Sequence, residues 1–482
     1  MANPDLCYLS ATELGERIAA GEISSLEATE AFLERIARLD GNYASYITVT
    51  ADRAREDARR ADAEIAAGQR LGPLHGVPVA VKDQFNTAGI VTTNGSTIMA
   101  ENVPDADATV IARLRAAGTV LLGKLNMSEY ASGDAFRYPY GRPRNPWDTG
   151  RNPGTSSSGS GAATAAFLCA TSLGEDTGGS IRGPAAFCGL VGIRPTFGRV
   201  SRHGVFGASW SMDTVGPISR TVTDCANTLE AIAGHDPNDP QTWDVPVPNY
   251  SAALDGNIDG LKVGLVTERV HTDANDPEVR DAVIKAAGVL AGLGAEVSEV
   301  SVPLIVNSSE ISYGIIGSDA AMLNWDIIST ERLEELDHNN QVRLLMGSIV
   351  PAKVYQKATR LRDVLRRQIL AALVDGIAYS RALENRRQFI ADMEQLSQQC
   401  DVLLTPAAPS PPQADVTNTG DPAFQGPWTS CGLPAISLPS GIAESGLPLG
   451  IQLVASPFAE ARLLGAAAWC ETVLNVELNP PL

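Results

Sequence analysis

Ser156 and Ser180 each stand inside a glycine- and serine-rich turn, PGTSSSGSGAATAAF (153–167) and GEDTGGSIRGPAAFCG (174–189), and a lone lysine, Lys82, closes the apolar segment GVPVAVKD (76–83). Acyl transfer needs a nucleophile, a group to take its proton, and backbone N–H groups that can approach a developing oxyanion; these three segments offer all of them. In DTGGSIR the paired glycines remove the side chains that would block a substrate carbonyl. Consecutive N–H groups from Thr177 through Gly178 and Gly179 to Ser180 can then converge on one oxygen, which predicts an oxyanion hole. A lysine accepts the proton of Ser180 only when neutral, and bringing its pKa from about 10.4 into the 7–8 range requires burial. Lys82, between the Val77–Val81 run and Phe85, is placed for that, with Asp83 opposing the shift if its carboxylate points inward. Ser156 would bridge Lys82 and Ser180, passing a proton between them.

Other chemistries fit less well. A phosphate-binding loop needs Gly-Lys followed by Ser or Thr, and no lysine lies between Lys124 and Lys262. There is no G-x-S-x-G elbow, none of the five histidines lies near either serine turn, and His75 reads as structural. The bland alternative for a Gly/Ser turn is close helix packing; the second turn, downstream of the first, is what argues for chemistry.

The elements that must position these groups are alternating helices and strands. Ser24 and Glu27 have capping-box spacing, followed by Leu26, Phe32, Leu33, Ile36 and Leu39 at helical intervals. A charged helix is expected over 51–67, and Val77–Val81 predicts a buried strand that delivers Lys82 at its carboxyl end. A helix over 108–117 and a strand over 120–122 follow, and the charge-free stretch 162–170 suits a helix buried on all sides. Strand, helix and strand recur over 260–266, 277–293 and 295–302. Residues 309–399 read as an almost wholly helical insertion. Strands resume over 401–405, 435–438 and 449–454, and a helix over 458–474 closes the chain. The expected fold is α/β: a single large domain, 1–482, with N-terminal helices to about 70, a core from about 71–308 and 400–482, and the insertion over about 309–399.

Composition bounds the function. A chain of 482 residues with 44% hydrophobic residues can bury a large core, and a formal charge of -19 repels phosphate backbones, so no nucleic-acid partner is expected. Seven scattered cysteines form no Cys-x-x-Cys pair and suggest neither a disulfide framework nor a metal site. No secretory pattern or long apolar span is read, so no membrane partner and a cytoplasmic location are expected.

The segments GVPVAVKD, PGTSSSGSGAA and DTGGSIRGPAAFCGLVGIRPTFGRVS, in this order and spacing, resemble the three core motifs of the amidase signature family, and GKLNMSEYA, NPWDTGRNPG, MDTVGPISRTVTD and GLPAISLPSG extend the likeness over roughly residues 5–475. The resemblance implies one domain with a large mixed twisted sheet flanked by helices on both faces. It implies that Lys82 is the base, that Ser156 is held by a cis peptide, that Ser180 is the nucleophile, and that Ser157, Asp176 and Arg182 support the site. Thr155 departs from the family pattern, which usually has a small residue there, and a β-branched residue is stiffer. A stand-alone hydrolase of small-molecule amides, carbamates or esters is the leading expectation, with no metal or organic cofactor and with a homodimer open to it. Against the alternative, a glutaminase-type subunit of a tRNA-dependent amidotransferase, stand the charge and the stretch FQGPWTSCGLPAISLPSG (424–441), which looks closer to stand-alone members. An inactive scaffold is a third reading, opposed by the presence of Lys82, Ser156 and Ser180 together. Met127, Tyr130, Ala131 and Trp210 are expected to wall the substrate space.

Overall fold

The computed structural model describes residues 3–133, 136–254, 256, 260–374, 399–476, 478 and 480–482. The capping box at Ser24 and Glu27 forms as its spacing predicts and opens the helix Ser25–Tyr43, whose Phe32, Leu33 and Ile36 are buried. A charged helix, Ala51–Ala66, follows.

Eleven strands make one mixed sheet: β1 (Tyr46–Val49), β2 (Pro78–Lys82), β3 (Val120–Leu125), β4 (Thr171–Asp176), β5 (Val191–Arg194), β6 (Thr214–Ser219), β7 (Lys262–Val266), β8 (Glu296–Val300), β9 (Val402–Pro406), β10 (Ala435–Ile442) and β11 (Pro448–Val454). Their spatial order is β1-β3-β2-β4-β6-β5-β10-β11-β9-β7-β8. β2 lies parallel to both β3 and β4, and β7 parallel to both β8 and β9, while the strands between β4 and β9 pair antiparallel. A strand with neighbours on both sides and helices over the sheet reads as a continuous apolar run, which is why PVAVK is buried at every position.

Four strands, β5 among them, escape the sequence pattern. β1, β4 and β6 are short or polar (TSLGED in β4, TVGPIS in β6), yet all of β4 and β6 is buried. Their pairing, β1 with β3 and β4 with both β2 and β6, outweighs their weak strand propensity. β3 runs on past Gly123 to Leu125, because Lys124 and Leu125 pair in register with Val81 and Lys82 of β2. The small-residue helix behind the first serine turn occupies Ser158–Ala165, earlier than expected, and is buried throughout. The helices Ser308–Leu323, His338–Ser348 and Ala352–Ala371 form a layer held to β7, β9 and β11 by an apolar cluster that includes Ile311, Ile315, Leu365, Ile369, Val266, Leu403 and Val454. Residues 375–398 of the expected helical insertion lie outside the described residues.

Successive strand residues face opposite ways, so Lys82 and Asp83 part company at the end of β2. Asp83 pairs with Lys124 at 3.2 Å, and both side chains are fully buried. Lys124 also donates to Phe85 O and Thr92 Oγ1, each at 2.7 Å, and Thr93 N donates to Asp83 at 2.8 Å. Removing one partner of such a pair strands a buried charge. Lys124→Met is therefore expected to destabilise the protein by about 3–5 kcal/mol, seen as a lower Tm in calorimetry.

Candidate active site

Lys82 has no solvent exposure, and its Nζ lies 2.7 Å from Ser156 Oγ. Burial pushes its pKa below the ordinary value; Glu175, 3.5 Å away, pulls the other way, with smaller contributions from Asp213 and Asp176. The opposing carboxylate is thus Glu175 on β4, not the expected Asp83, which faces Lys124. Ser156 follows a cis peptide bond from Thr155, which lines the cavity in front of it. Ser157 Oγ donates to Glu175 O and accepts from Glu175 N, both at 3.3 Å, which ties the first serine turn to β4.

The second turn, Thr177 to Ser180, leaves the end of β4 and enters the short helix Arg182–Cys188. Asp176 organises it. Its carboxylate accepts from Gly179 N at 2.8 Å and Ile181 N at 3.3 Å, and pairs with Arg182 at 3.1 Å and Arg194 at 3.5 Å, all these side chains being buried. Burial acts against its ionisation, but the two guanidinium groups outweigh it and hold the carboxyl below its usual range. Arg182 reaches onward to Gln452 Oε1 and Thr429 Oγ1, each at 2.6 Å, and so joins the turn to β11 and to the helix Gly426–Ser430. Of the four expected oxyanion donors, Gly179 N–H is engaged by Asp176. The Thr177, Gly178 and Ser180 N–H groups meet no protein acceptor among the described residues.

Ser180 Oγ forms no hydrogen bond among the described residues, and Ser180 lines a cavity of about 450 Å³ together with Thr177, Gly178 and Gly179. Nothing lies within 4 Å of where a Cβ on Gly178 would stand, so that side of the turn is open space. Gly179 is the reverse: its φ is +130°, and a Cβ there would sit 1.9 Å from Gln425 Oε1. Ala131 lines the cavity. Met127 packs behind it with Ala208, and Tyr130 is buried beside Ala320, Leu336 and Leu344. Trp210 is 48% exposed and lies outside the cavity, because Asp213 gathers the N–H groups of Ala208 and Ser209 and the loop turns its indole out toward Arg202. Sequence reasoning missed Glu175, Asp213, Gln425, Arg343 and Asp421. Glu175 alone was within reach, lying beside Asp176 in the second serine turn's segment.

The cavity walls are mostly apolar, with Phe187, Ile316, Met346 and Val350 among them, but Arg343 and Asp421 also line it. Arg343 donates to Tyr130 O at 3.2 Å and has no salt-bridge partner among the described residues, while its buried Nε finds no acceptor. Burial lowers its pKa to about 10, which leaves it a cation at neutral pH. No group of His, Cys, Asp and Glu suited to a metal ion occurs among the described residues, and no helix among them is long and apolar enough to cross a membrane.

The Amidase family model matches residues 27–464. The chain belongs to the amidase signature family. The A subunit of glutamyl-tRNA(Gln) amidotransferase from Moorella thermoacetica is 42% identical over 473 residues, spanning 96% of each chain. A solved chain from a vestigial protein complex that reveals the evolutionary origins of an s-triazine catabolic enzyme superposes with TM-score 0.86 at 33% identity, covering 96% of this chain and 98% of that one. Native peptide amidase from Stenotrophomonas maltophilia does so with TM-score 0.82 at 29% identity, covering 98% of each. This amidase signature chain is an enzyme that cleaves amide C–N bonds. Its likeness to amidotransferase A subunits runs against the weight placed on 424–441 and on charge for a stand-alone enzyme.

Gly179→Ala, whose Cβ would meet Gln425, is expected to displace the turn and with it a neighbouring oxyanion donor, lowering kcat about 10²–10³-fold on any amide the wild type cleaves.

Proposed function

We propose that this chain hydrolyses the amide of a small, carboxylate-bearing substrate of glutamine type, with Ser180 as nucleophile, Ser156 as bridge and Lys82 as base. The observation that carries the chemistry is the buried Lys82 amine 2.7 Å from Ser156 Oγ, behind a turn that presents Ser180 and unengaged N–H groups to a cavity. Ser180 attacks the carbonyl carbon and its proton passes by way of Ser156 to Lys82. The N–H groups of Thr177, Gly178 and Ser180 hold the oxyanion, with Gly179 shaping the turn. As the tetrahedral intermediate collapses, Lys82 returns the proton through Ser156 to the leaving amine, and water then frees the acid from Ser180. Ser157, Asp176 and Arg182 hold the two turns in place.

Support for a glutamine-type substrate comes from Arg343, a cavity-lining cation with no salt-bridge partner among the described residues, and from the amidotransferase A subunits to which the chain is similar. On this reading the chain is the ammonia-releasing member of a larger assembly. The apolar lining supports a second reading, a stand-alone hydrolase of anilides, aliphatic amides or carbamates, and the similarity to peptide amidase accords with it.

A panel of glutamine, anilides, aliphatic amides and carbamates separates the two. Ser180→Ala is expected to lose hydrolysis of every amide cleaved by the wild type and to lose covalent labelling by a fluorophosphonate. Arg343→Met should raise KM roughly 10–100-fold for carboxylate-bearing amides and leave neutral ones unchanged, since a hydrogen bond to a charged group contributes about 1.5–3 kcal/mol. Because only neutral Lys82 accepts a proton, activity should rise with pH through its lowered pKa. Lys82→Met is expected to abolish that limb and about 10²–10⁴ of the rate.

A further inference from the structure

Thr177 has one hydroxyl proton, yet its Oγ1 lies 2.8 Å from Glu175 Oε1 and 2.9 Å from Asp213 Oδ1. A hydroxyl donates one hydrogen bond, and an ionised carboxylate only accepts. Both contacts are hydrogen bonds only when one of the two carboxyls carries a proton and donates it to Thr177. Glu175 and Asp213 are 0% and 3% exposed, so two bare charges there would lack solvent. The other oxygen of Glu175 lies 3.5 Å from Lys82 Nζ.

Resting on the role proposed above for Lys82, we infer that Glu175, Thr177 and Asp213 form a proton wire in which Glu175 is a positioning residue, supplying Lys82 with a counter-charge only while Lys82 is protonated. With Lys82 neutral, Glu175 holds the proton and donates to Thr177 Oγ1, whose own proton points to ionised Asp213. When Lys82 takes the proton from Ser180 by way of Ser156, the Glu175 O–H bond breaks and its proton bonds to Thr177 Oγ1. The former Thr177 proton then bonds to Asp213, which leaves a carboxylate beside the new ammonium. No proton enters or leaves the wire, and the sequence reverses when Lys82 returns its proton to the leaving amine.

The surrounding charges frame this exchange. Asp176 acts on Lys82 from the end of β4, while Arg194, Arg202 and Arg343 act on Asp213, which also accepts from the N–H groups of Ala208 and Ser209. Burial, and then the charge of Glu175, push the Asp213 carboxyl up, as for two buried carboxyls that hold one proton between them.

Infrared difference spectra of wild type against Glu175→Gln and against Asp213→Asn are expected to show one buried protonated carboxyl at neutral pH that each substitution removes. Glu471, pushed up to about 7 by burial at a separate site, is common to all three proteins and cancels. The acid limb of the pH–rate profile should move down by about 1–3 units in Glu175→Gln, which loses the counter-charge to the ammonium. It should move up in Asp213→Asn, where Glu175 has no acceptor for its proton except Lys82 and stays ionised against it. A purely structural role would not displace the two limbs in opposite directions. Should either variant fail to fold, Thr177→Val, which keeps the shape and deletes the hydroxyl, is expected to lower kcat with KM unchanged. Two ionised carboxyls in the wild type, limbs that move together, or an unaltered kcat in Thr177→Val each overturn the wire. Persistent hydrolysis by Ser180→Ala would instead overturn the serine mechanism and leave the infrared result standing.

Discussion

The site depends on one amine taken out of water. An ammonium buried among apolar strands is costly, and an amine at Lys82 lowers that cost either by giving up its proton or by drawing a carboxylate close. Both responses are visible: burial depresses its pKa, and Glu175 partly restores it. The 2.7 Å contact with Ser156 Oγ fixes where the proton comes and goes. A one-residue slip in the register of β2 would turn Lys82 to the other face of the sheet, away from Ser156.

The turn that carries Ser180 is held by a second buried electrostatic device with a different purpose. Asp176 faces two guanidinium groups, from Arg182 in the helix that follows and Arg194 in β5, and it caps the backbone of Gly179 and Ile181. Because Arg182 also reaches Gln452 of β11 and Thr429, the turn is braced by parts of the chain some 250 residues downstream. That bracing explains why the nucleophile's loop needs no apolar core of its own. Fixed N–H groups need no reorganisation when an oxyanion forms, which is the physical basis of their effect.

Around this rigid centre the cavity mixes two characters. Its apolar walls come largely from the helical layer, and the Arg343 guanidinium comes from the helix His338–Ser348 in that same layer. The strands thus supply the groups that break the bond, and the helical layer supplies much of what touches the rest of the substrate. Such a division lets one reaction machinery meet different substrates through changes in a single layer.

Local sequence determined a good deal. Capping chemistry set the start of the helix Ser25–Tyr43, the apolar run before Lys82 set β2, and Gly178 left one side of the turn before Ser180 open, because each depends on neighbours along the chain. Tertiary structure alone decided the rest. β4 became a strand beside β2 and β6 beside β4, and Trp210 was turned outward by a carboxylate three residues on. Glu175, Thr177 and Asp213 converge only because β4 and β6 pair antiparallel, with Asp176 opposite Thr214. Hydrogen bonds between distant segments leave no periodic trace in a sequence, so Arg343, Gln425 and Asp213 could be placed only once those segments had come together.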